Sequence, residues 1–312
     1  MTVTSSIGTT AQPIALRSAA GAHKVRTRHP WWWVGGVVLA VLIALFVRLL
    51  VTNKNMRWNV VLHYLFDSEI LSGLLTTLEL TALAMIFGLA IGVVLAMMRL
   101  SRNPLFRGVS WLWIWFFRGV PPLVQMVFWF NLATLIPRIN LAIPFGPVLG
   151  SWDTNAVISS FTAAILGLAL TESAYAAEMI RAGIQAVPRG QTEASLVIGM
   201  TQGQTMRRVV LPQAVRIIVP PIGNDLISML KFTSLVSVLA TPDLLYSAQM
   251  IYSRNYQTIP LLLVATAWYL LLATLFTLVQ QRIEQRIKSS HRVDTKLLNR
   301  QSLRFLPSFK KA

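Results

Sequence analysis

Apolar residues fill six long segments of the chain, and polar residues are concentrated between them. Each segment is near the length of about 20 residues that a helix needs to cross the hydrocarbon core of a bilayer. Because lipid offers no hydrogen-bonding partner to the backbone, each segment is predicted to be a transmembrane helix. The third is interrupted by the sequence FFRGVPP. The segments are residues 31–51, 70–98, 111–136, 156–177, 215–240 and 259–279.

The composition agrees with an all-α integral membrane protein. Hydrophobic residues make up 54% of the chain and charged residues 12%, whereas a soluble domain carries about a quarter charged residues. The net charge of +17 comes from short blocks between apolar segments, so no nucleic-acid partner is expected. The chain has no cysteine, and its four histidines lack ligand spacing. We therefore expect no metal site and no cofactor bound by this chain.

Basic residues alternate from one inter-segment region to the next. Most of the 28 Lys and Arg residues lie in four blocks: the stretch before residue 31, the region after the second segment, the loop before the fifth, and the chain after Gln281. Cytoplasmic loops of membrane proteins carry the excess of Lys and Arg. Both termini and the loop 183–213 are therefore predicted to be cytoplasmic, and the tails 1–30 and 281–312 are basic.

The loop 183–213 is unusually polar for a connection between two membrane segments. It predicts two short helical pieces joined at GMTQG. Glu193 is expected in the first turn of the first piece, where a carboxylate complements the helix dipole, and Gly199 in the left-handed conformation that ends a helix. Pro212 is expected to restart the chain toward the membrane. Such a pair suits docking into a groove on a partner, but an ordinary helical connector fits equally well.

Several ionisable or polar residues lie inside the predicted spans, where charge is costly and usually faces a cavity or a partner. They suggest a substrate pathway, although for Asn224 and Ser228 hydrogen bonds that hold helices together are the favoured interpretation. Gly88 and Gly92 have the G-x-x-x-G spacing typical of close helix packing, and Arg118 is expected to reach lipid headgroups. The pathway candidates are Glu79, Glu172, Asn224, Ser228 and Lys231, with Asp225 beside them.

The loop carries the spacing E-A-A, three residues, G, nine residues, I-x-L-P, with Ser195 replacing the second alanine and Val209 the isoleucine. In this the chain resembles the permease subunits of bacterial ABC importers. FFRGVPPLVQ, AYAAEMIRAGIQAVPRGQTEA and LPQAVRIIVPPIGNDLISMLKFTSLVSVLA resemble the polar amino-acid branch of that family, with Val120, Pro122 and Phe232 as departures. The resemblance covers about residues 70–280, so the span 31–51 is an addition to a five-helix core.

The resemblance implies a multi-pass protein of the bacterial inner membrane that imports polar amino acids, with some preference for cationic ones. It implies two ATP-binding cassette subunits, an extracytoplasmic solute-binding protein, a second permease copy or a related permease, and membrane lipid as partners. ATP would be bound by the partner ATPase, because this chain has no G-x-x-x-x-G-K-[ST] loop. The residues implied to couple to the ATPase are Glu193, Ala194, Ser195, Gly199, Met200, Leu211 and Pro212.

Two other classes of function are alternatives to the permease of an ATP-driven importer. A secondary transporter or channel for small polar solutes needs no ATPase partner, and the polar loop with its E-A-x-x-x-x-G spacing argues against it. A membrane enzyme needs a concentrated catalytic constellation, and the sequence has no paired histidines, nucleophile elbow or metal-ligand set. The sequence does not identify the amino acid carried.

Overall fold

The computed structural model describes residues 31–143 and 147–302. The predicted tail 1–30 and the end of the predicted tail 281–312 lie outside these residues. The first elements are α1 (Trp31–Thr52), α2 (Trp58–Tyr64), α3 (Ser68–Leu100), α4 (Pro104–Gly119), α5 (Pro122–Phe130), α6 (Leu132–Leu135), β1 (Arg138–Ala142), β2 (Val148–Asp153) and α7 (Thr154–Val157). The later elements are α8 (Ser160–Gln185), α9 (Arg189–Val197), α10 (Gln202–Thr205), α11 (Leu211–Phe232), α12 (Leu244–Asn255) and α13 (Thr258–Ser302).

The chain divides into two compact units, Met1–Asn53 and Lys54–Ala312. The described part of the first unit consists of α1 and the residue that follows it, Asn53. Large apolar side chains of α1 are exposed along its length, which suits a helix surrounded by lipid. All other elements belong to the second unit.

Five helices in the described ranges are long and apolar enough to cross a membrane. They confirm the first, second, fourth, fifth and sixth predicted segments. The predicted third segment contains three consecutive helices, α4 with 16 residues, α5 with 9 and α6 with 4, and the first break falls at the predicted interruption FFRGVPP. The five helices are Trp33–Thr52, Ser68–Leu100, Ser160–Gln185, Gln202–Leu239 and Thr258–Ile287.

The break between α4 and α5 follows from two consecutive prolines. Neither Pro121 nor Pro122 has a backbone N–H to continue the hydrogen bonds of α4, so the last carbonyls of that helix need other donors. The amide Nε2 of Gln125 supplies them: it donates to the carbonyls of Val120 at 2.9 Å and Phe117 at 3.2 Å. Gln125 is 4% exposed, so this polar bridge is buried and holds the two helices at a fixed junction.

Helix α8 is the centre of the second unit, because α3, α4, α5 and α11 all pack against it. Small residues permit the closest approach. A Cβ at Gly92 would lie 2.7 Å from the Cβ of Ala176, and one at Gly88 would collide with the side chain of Glu172. The prediction that the G-x-x-x-G spacing marks close helix packing is therefore confirmed.

The loop 183–213 differs from the prediction in its second half. Residues 202–239 form one continuous helical run, with a π-helical segment, Met206–Val210, between α10 and α11 and a 3-10 segment, Thr233–Leu239, after α11. Pro212 is the second residue of α11, and the helical run continues through it. The side-chain amide Nε2 of Gln213 donates to the carbonyl oxygen of Val209 at 2.9 Å. The expectation that Pro212 restarts the chain is therefore wrong.

A two-stranded antiparallel hairpin, β1–β2, precedes α8, with Ile139 opposite Trp152. After the 3-10 segment, α12 begins at Asp243, whose carboxylate accepts hydrogen bonds from the backbone N–H groups of Tyr246 and Leu245. Burial raises the pKa of the Asp243 carboxyl to about 6, although these hydrogen bonds act in the opposite direction. The hydroxyl of Thr77 on α3 accepts a hydrogen bond from the N–H of Leu244 at 3.0 Å, which ties α12 to α3.

Candidate functional site

The first helix of the polar loop, α9, ends in a defined turn at Gly199. The backbone of Gly199 has φ of 86°, in the left-handed region that glycine adopts without penalty. The N–H of Met200 donates to the carbonyl of Ser195 at 3.1 Å, and that of Gly199 to Leu196 at 3.0 Å. These two bonds form a Schellman motif. The prediction for Gly199 is confirmed, and the direction of the chain after α9 is fixed by backbone geometry.

Glu193 does not lie where the dipole argument placed it. Helix α9 begins at Arg189 after Pro188, so its first turn contains no acidic residue. Pro188 fixes the helix entry one turn earlier than the RGQT sequence suggested. The expectation for Glu193 in the first turn is therefore wrong. Its side chain is exposed on the surface of α9, where it is free to contact a partner.

The two halves of the loop are joined by a pair of hydroxyl groups. Ser195 is 4% exposed and its Oγ lies 2.9 Å from Oγ1 of Thr205 on α10. Thr201 and Gln204 form a capping box at the start of α10, which satisfies two free N–H groups. In the sequence, Ser195 is only a mild departure from alanine, and nothing there identifies Thr205 as its hydrogen-bond partner. An S/T-x-x-Q spacing at Thr201 was the available signal for the cap.

The surface of this loop is apolar at its tip and basic at its side. Val197 is 86% exposed and Ile198 76% exposed, which is unusual for large aliphatic residues outside a binding surface. A cavity of about 680 Å³ lies beside them and is lined by Arg102 and Arg189 together with Gln185, Thr192, Leu196, Gln202 and Thr205. The remaining predicted loop residues are Ala194, exposed on α9, Met200, half-buried, and Leu211 and Pro212, exposed at the start of α11.

Glu172 is the most deeply buried of the predicted pathway residues, at 2% exposed. It packs against Gly88 of α3, and the carboxyl group of Asp225 on α11 is its acidic neighbour. Two ionised carboxylates close together repel each other, so a nearby cation would stabilise this pair. The Oε1 atom of Glu172 and the Oδ2 atom of Asp225 are buried and have no hydrogen-bond partner among the described residues.

Asn224 and Ser228 take part in helix–helix and intrahelical hydrogen bonds. The hydroxyl of Ser228 donates to the carbonyl of Asn224 at 3.2 Å, and the amide of Gln280 on α13 donates to Oδ1 of Asn224 at 2.8 Å. Gln280 also donates to the carbonyl of Pro220 at 3.2 Å. These hydrogen bonds agree with the interpretation that the two residues hold helices together. Gln280, which joins α11 to α13, was missed because its partners are 56 or more residues away.

The other two pathway candidates are not part of this cluster. Glu79 is exposed on α3. Lys231 is exposed at the end of α11 and lines a cavity of about 260 Å³ with Ser234, Thr266 and Tyr269. Glu178 and Arg181 form an ion pair at 2.6 Å on α8. No group of three or more possible metal ligands occurs in the described part of the chain.

Comparison with known proteins agrees with this architecture. Residues 88–289 match the family described as binding-protein-dependent transport system inner membrane component. The arginine transport system permease protein ArgU of Corynebacterium glutamicum is 44% identical over 263 residues, which cover 84% of this chain and 81% of that protein. The L-cystine transport system permease protein TcyB of Bacillus subtilis is 37% identical over 216 residues, covering 69% and 85%.

Solved structures give the same result. The chain is similar to one in the crystal structure of an amino acid ABC transporter with histidines, with a TM-score of 0.62, 35% identity, and coverage of 71% of this chain and 95% of that one. An inward-facing structure of the MetNI methionine ABC transporter, at 21% identity and a TM-score of 0.54 over 76% and 99%, supports the fold alone. The chain therefore belongs to the family of binding-protein-dependent transport system inner membrane components and is a multi-pass permease subunit of the ABC importer type.

Proposed function

We propose that this chain carries polar amino acids, with a preference for cationic ones, into the cell as the permease of an ATP-driven importer. Energy comes from ATP hydrolysis in two partner ATP-binding cassette subunits. An extracytoplasmic solute-binding protein delivers the amino acid, and a second permease, identical or related, completes the pathway. The observation that carries this proposal is the loop after α8: a rigid turn at Gly199 displays Glu193, Val197 and Ile198 to a partner.

The charge inside the spans supports a cationic substrate. Glu172 and Asp225 bring two carboxyl groups together, with one buried oxygen of each lacking a hydrogen-bond partner among the described residues. A substrate cation that approached this pair would relieve the repulsion between the carboxylates. The α-ammonium group of any amino acid meets this need in part, and a cationic side chain meets it further. The similarity to ArgU points in the same direction.

The substitution Glu172→Gln tests the substrate preference in proteoliposomes that contain the permease, its ATPase and the solute-binding protein. We expect uptake of arginine, lysine and histidine to fall by about tenfold, because a hydrogen bond to a charged group is lost. Uptake of glutamine should fall by less than about threefold. The matched control is Glu178→Gln on the same helix, whose carboxylate pairs with Arg181. An equal loss for all four amino acids in Glu172→Gln would contradict the proposed preference.

The orientation is tested by single cysteines, since the chain has none of its own. Gln202 is exposed in the polar loop beyond the end of α8, and Ser151 is exposed in the hairpin before its start. Helix α8 has 26 residues and spans about 39 Å, so these sites lie at opposite membrane faces. We expect Gln202→Cys to react with an impermeant maleimide only from the cytoplasmic side and Ser151→Cys only from outside. Labelling of Gln202→Cys in intact cells would overturn the orientation.

A further inference from the structure

Arg118 lies in the last turn of α4, and its guanidinium sits 5.1 Å from the centroid of the Tyr175 ring on α8. Both side chains are exposed, Tyr175 by 41%. A cation over an aromatic face is attracted by the ring electrons, and this contact leaves the N–H groups at the edge of the guanidinium open to a further partner. The ring therefore supports the cation without consuming its hydrogen-bonding capacity.

The position of Tyr175 sets the depth of this cation. Tyr175 lies about 15 residues after Ser160 and about 10 before Gln185, the two ends of α8. At 1.5 Å per residue, these separations are about 22 Å and about 15 Å. Trp113 of α4 also donates from its ring nitrogen to the hydroxyl of Ser173, at 3.0 Å, which holds the two helices together at this level. Arg118 thus lies beside the middle part of α8 and not at either end of that helix.

The backbone that carries Arg118 is held firmly. The side-chain amide of Gln125 donates hydrogen bonds to the carbonyls of Phe117 and Val120, on either side of Arg118. Phe117 is itself buried. Met126, the residue after Gln125, is fully buried and packs against Gly167 of α8. Groups that must recognise a ligand precisely are best mounted on such rigid, packed elements. The junction between α4 and α5 therefore presents the guanidinium in a fixed place.

Arg118 has no carboxylate partner among the described residues and belongs to neither the Arg181–Glu178 nor the Arg254–Glu69 ion pair. A guanidinium at this depth that faced lipid would be strongly unfavourable, so its exposed side must face water or a polar partner. The guanidinium fork matches a carboxylate through two parallel hydrogen bonds. An amino acid always brings one carboxylate, whatever its side chain.

We propose that Arg118, supported by Tyr175, binds the α-carboxylate of the transported amino acid on its way through the membrane. This inference rests on the proposed amino-acid transport function. Glu172 lies one helical turn before Tyr175 on α8, so one short stretch of that helix brings a carboxyl group and a guanidinium to the same level.

The test measures binding to the permease–ATPase complex in nanodiscs without the solute-binding protein, whose own carboxylate recognition would mask the effect. Tritiated arginine is displaced by arginine or by agmatine, which is arginine without its carboxylate. Tritiated histidine is displaced by histidine or by histamine. In the wild-type complex the amino acid should compete at least about tenfold better than the amine. In Arg118→Gln this ratio should fall to about 1, while the affinity for the amine changes by less than about twofold.

Three further variants make the result specific. Arg118→Lys keeps the charge but not the fork and should retain part of the ratio. Tyr175→Leu leaves the arginine unsupported and should lower the ratio even if Arg118→Gln fails to assemble. Arg107→Gln, at an exposed arginine on the same helix, should keep the wild-type ratio.

The outcomes separate this inference from the function on which it rests. A wild-type complex that neither binds nor takes up any amino acid would refute the proposed function itself. Wild-type discrimination that persists in both Arg118→Gln and Tyr175→Leu would overturn the carboxylate site alone. So would a ratio that follows the anionic lipid content, because Arg118 would then be a lipid-phosphate site. Dissociation of the two permeases in Arg118→Gln, with the ratio unchanged, would assign Arg118 to the subunit contact and also overturn the site.

Discussion

Arginine in place of Gly199 is expected to abolish ATP-driven uptake, by at least about a hundredfold, while the chain still inserts in the membrane. The backbone at this position has φ of 86°, which costs an ordinary L-residue about 1–2 kcal/mol. Relief of that strain would open the turn and misplace the surface formed by Glu193, Val197 and Ile198. A large charged side chain would also project from the exposed tip where the ATPase is proposed to dock. Both effects act on coupling and leave the spans intact.

The measurement compares substrate-stimulated ATP hydrolysis with uptake in proteoliposomes. No atom lies within 4 Å of a Cβ added at Gly199, so the first side-chain carbon fits without a clash inside the chain. Gly199→Asn is the matched control, since asparagine tolerates the left-handed conformation better than other residues, and it should keep most of the uptake. If Gly199→Arg transported at the wild-type rate, the loop would not be the coupling element.

Leucine in place of Gly92 is expected to lower the amount of folded permease in the membrane severely. Even a Cβ there would lie 2.7 Å from the Cβ of Ala176, 3.1 Å from the carbonyl oxygen of Ser173 and 3.2 Å from the nitrogen of Ala177. Two of these atoms belong to the backbone of α8 and cannot move aside. The helices must separate, at a cost of about 3 kcal/mol or more, and α8 would lose its packing against α3 at the centre of the unit.

Thermal unfolding of the detergent-solubilised protein, followed by loss of the soluble fraction, measures this effect. Gly108→Leu is the control, because no atom lies within 4 Å of a Cβ added at Gly108, and an unobstructed site should change stability by only about 0.5 kcal/mol. Equal unfolding temperatures for Gly92→Leu and the wild type would show that α3 and α8 are not in close contact.

Features that depend on neighbouring residues could be predicted from the sequence. The lengths of apolar segments placed five of the spans, because a lipid-facing helix must be apolar over its whole length. The left-handed turn at Gly199 follows from local backbone energetics, and the close approach at Gly88 and Gly92 from the absence of side chains. The spans and the turn are determined within a few residues of where they are observed, whereas the glycine spacing indicates close packing without identifying α8 as the partner helix.

Features that depend on distant partners could not be predicted in the same way. Gln125 satisfies the carbonyls that the prolines leave free, but nothing in the sequence FFRGVPPLVQ indicates which way its side chain turns. The hydroxyl of Ser195 meets Thr205 only because the turn at Gly199 reverses the chain between them. Glu172 and Asp225 lie 53 positions apart in the sequence, and hydropathy places both in membrane segments without showing that their carboxyl groups meet.

The helical run from Gln202 to Leu239 joins the loop to the span without a non-helical linker, and it contains a π-helical segment, a 3-10 segment and the interior prolines Pro220 and Pro221. Its 38 residues correspond to about 57 Å at 1.5 Å per residue. Since no non-helical linker separates the end proposed to lie beside the ATPase from the end within the span, we expect a tilt at one end to be transmitted to the other. A rotation of about 10° about one end would carry the other through about 10 Å, on the scale of an amino-acid side chain. A small rotation of this helical run at the cytoplasmic surface can thus displace its other end far enough to open a path for a solute.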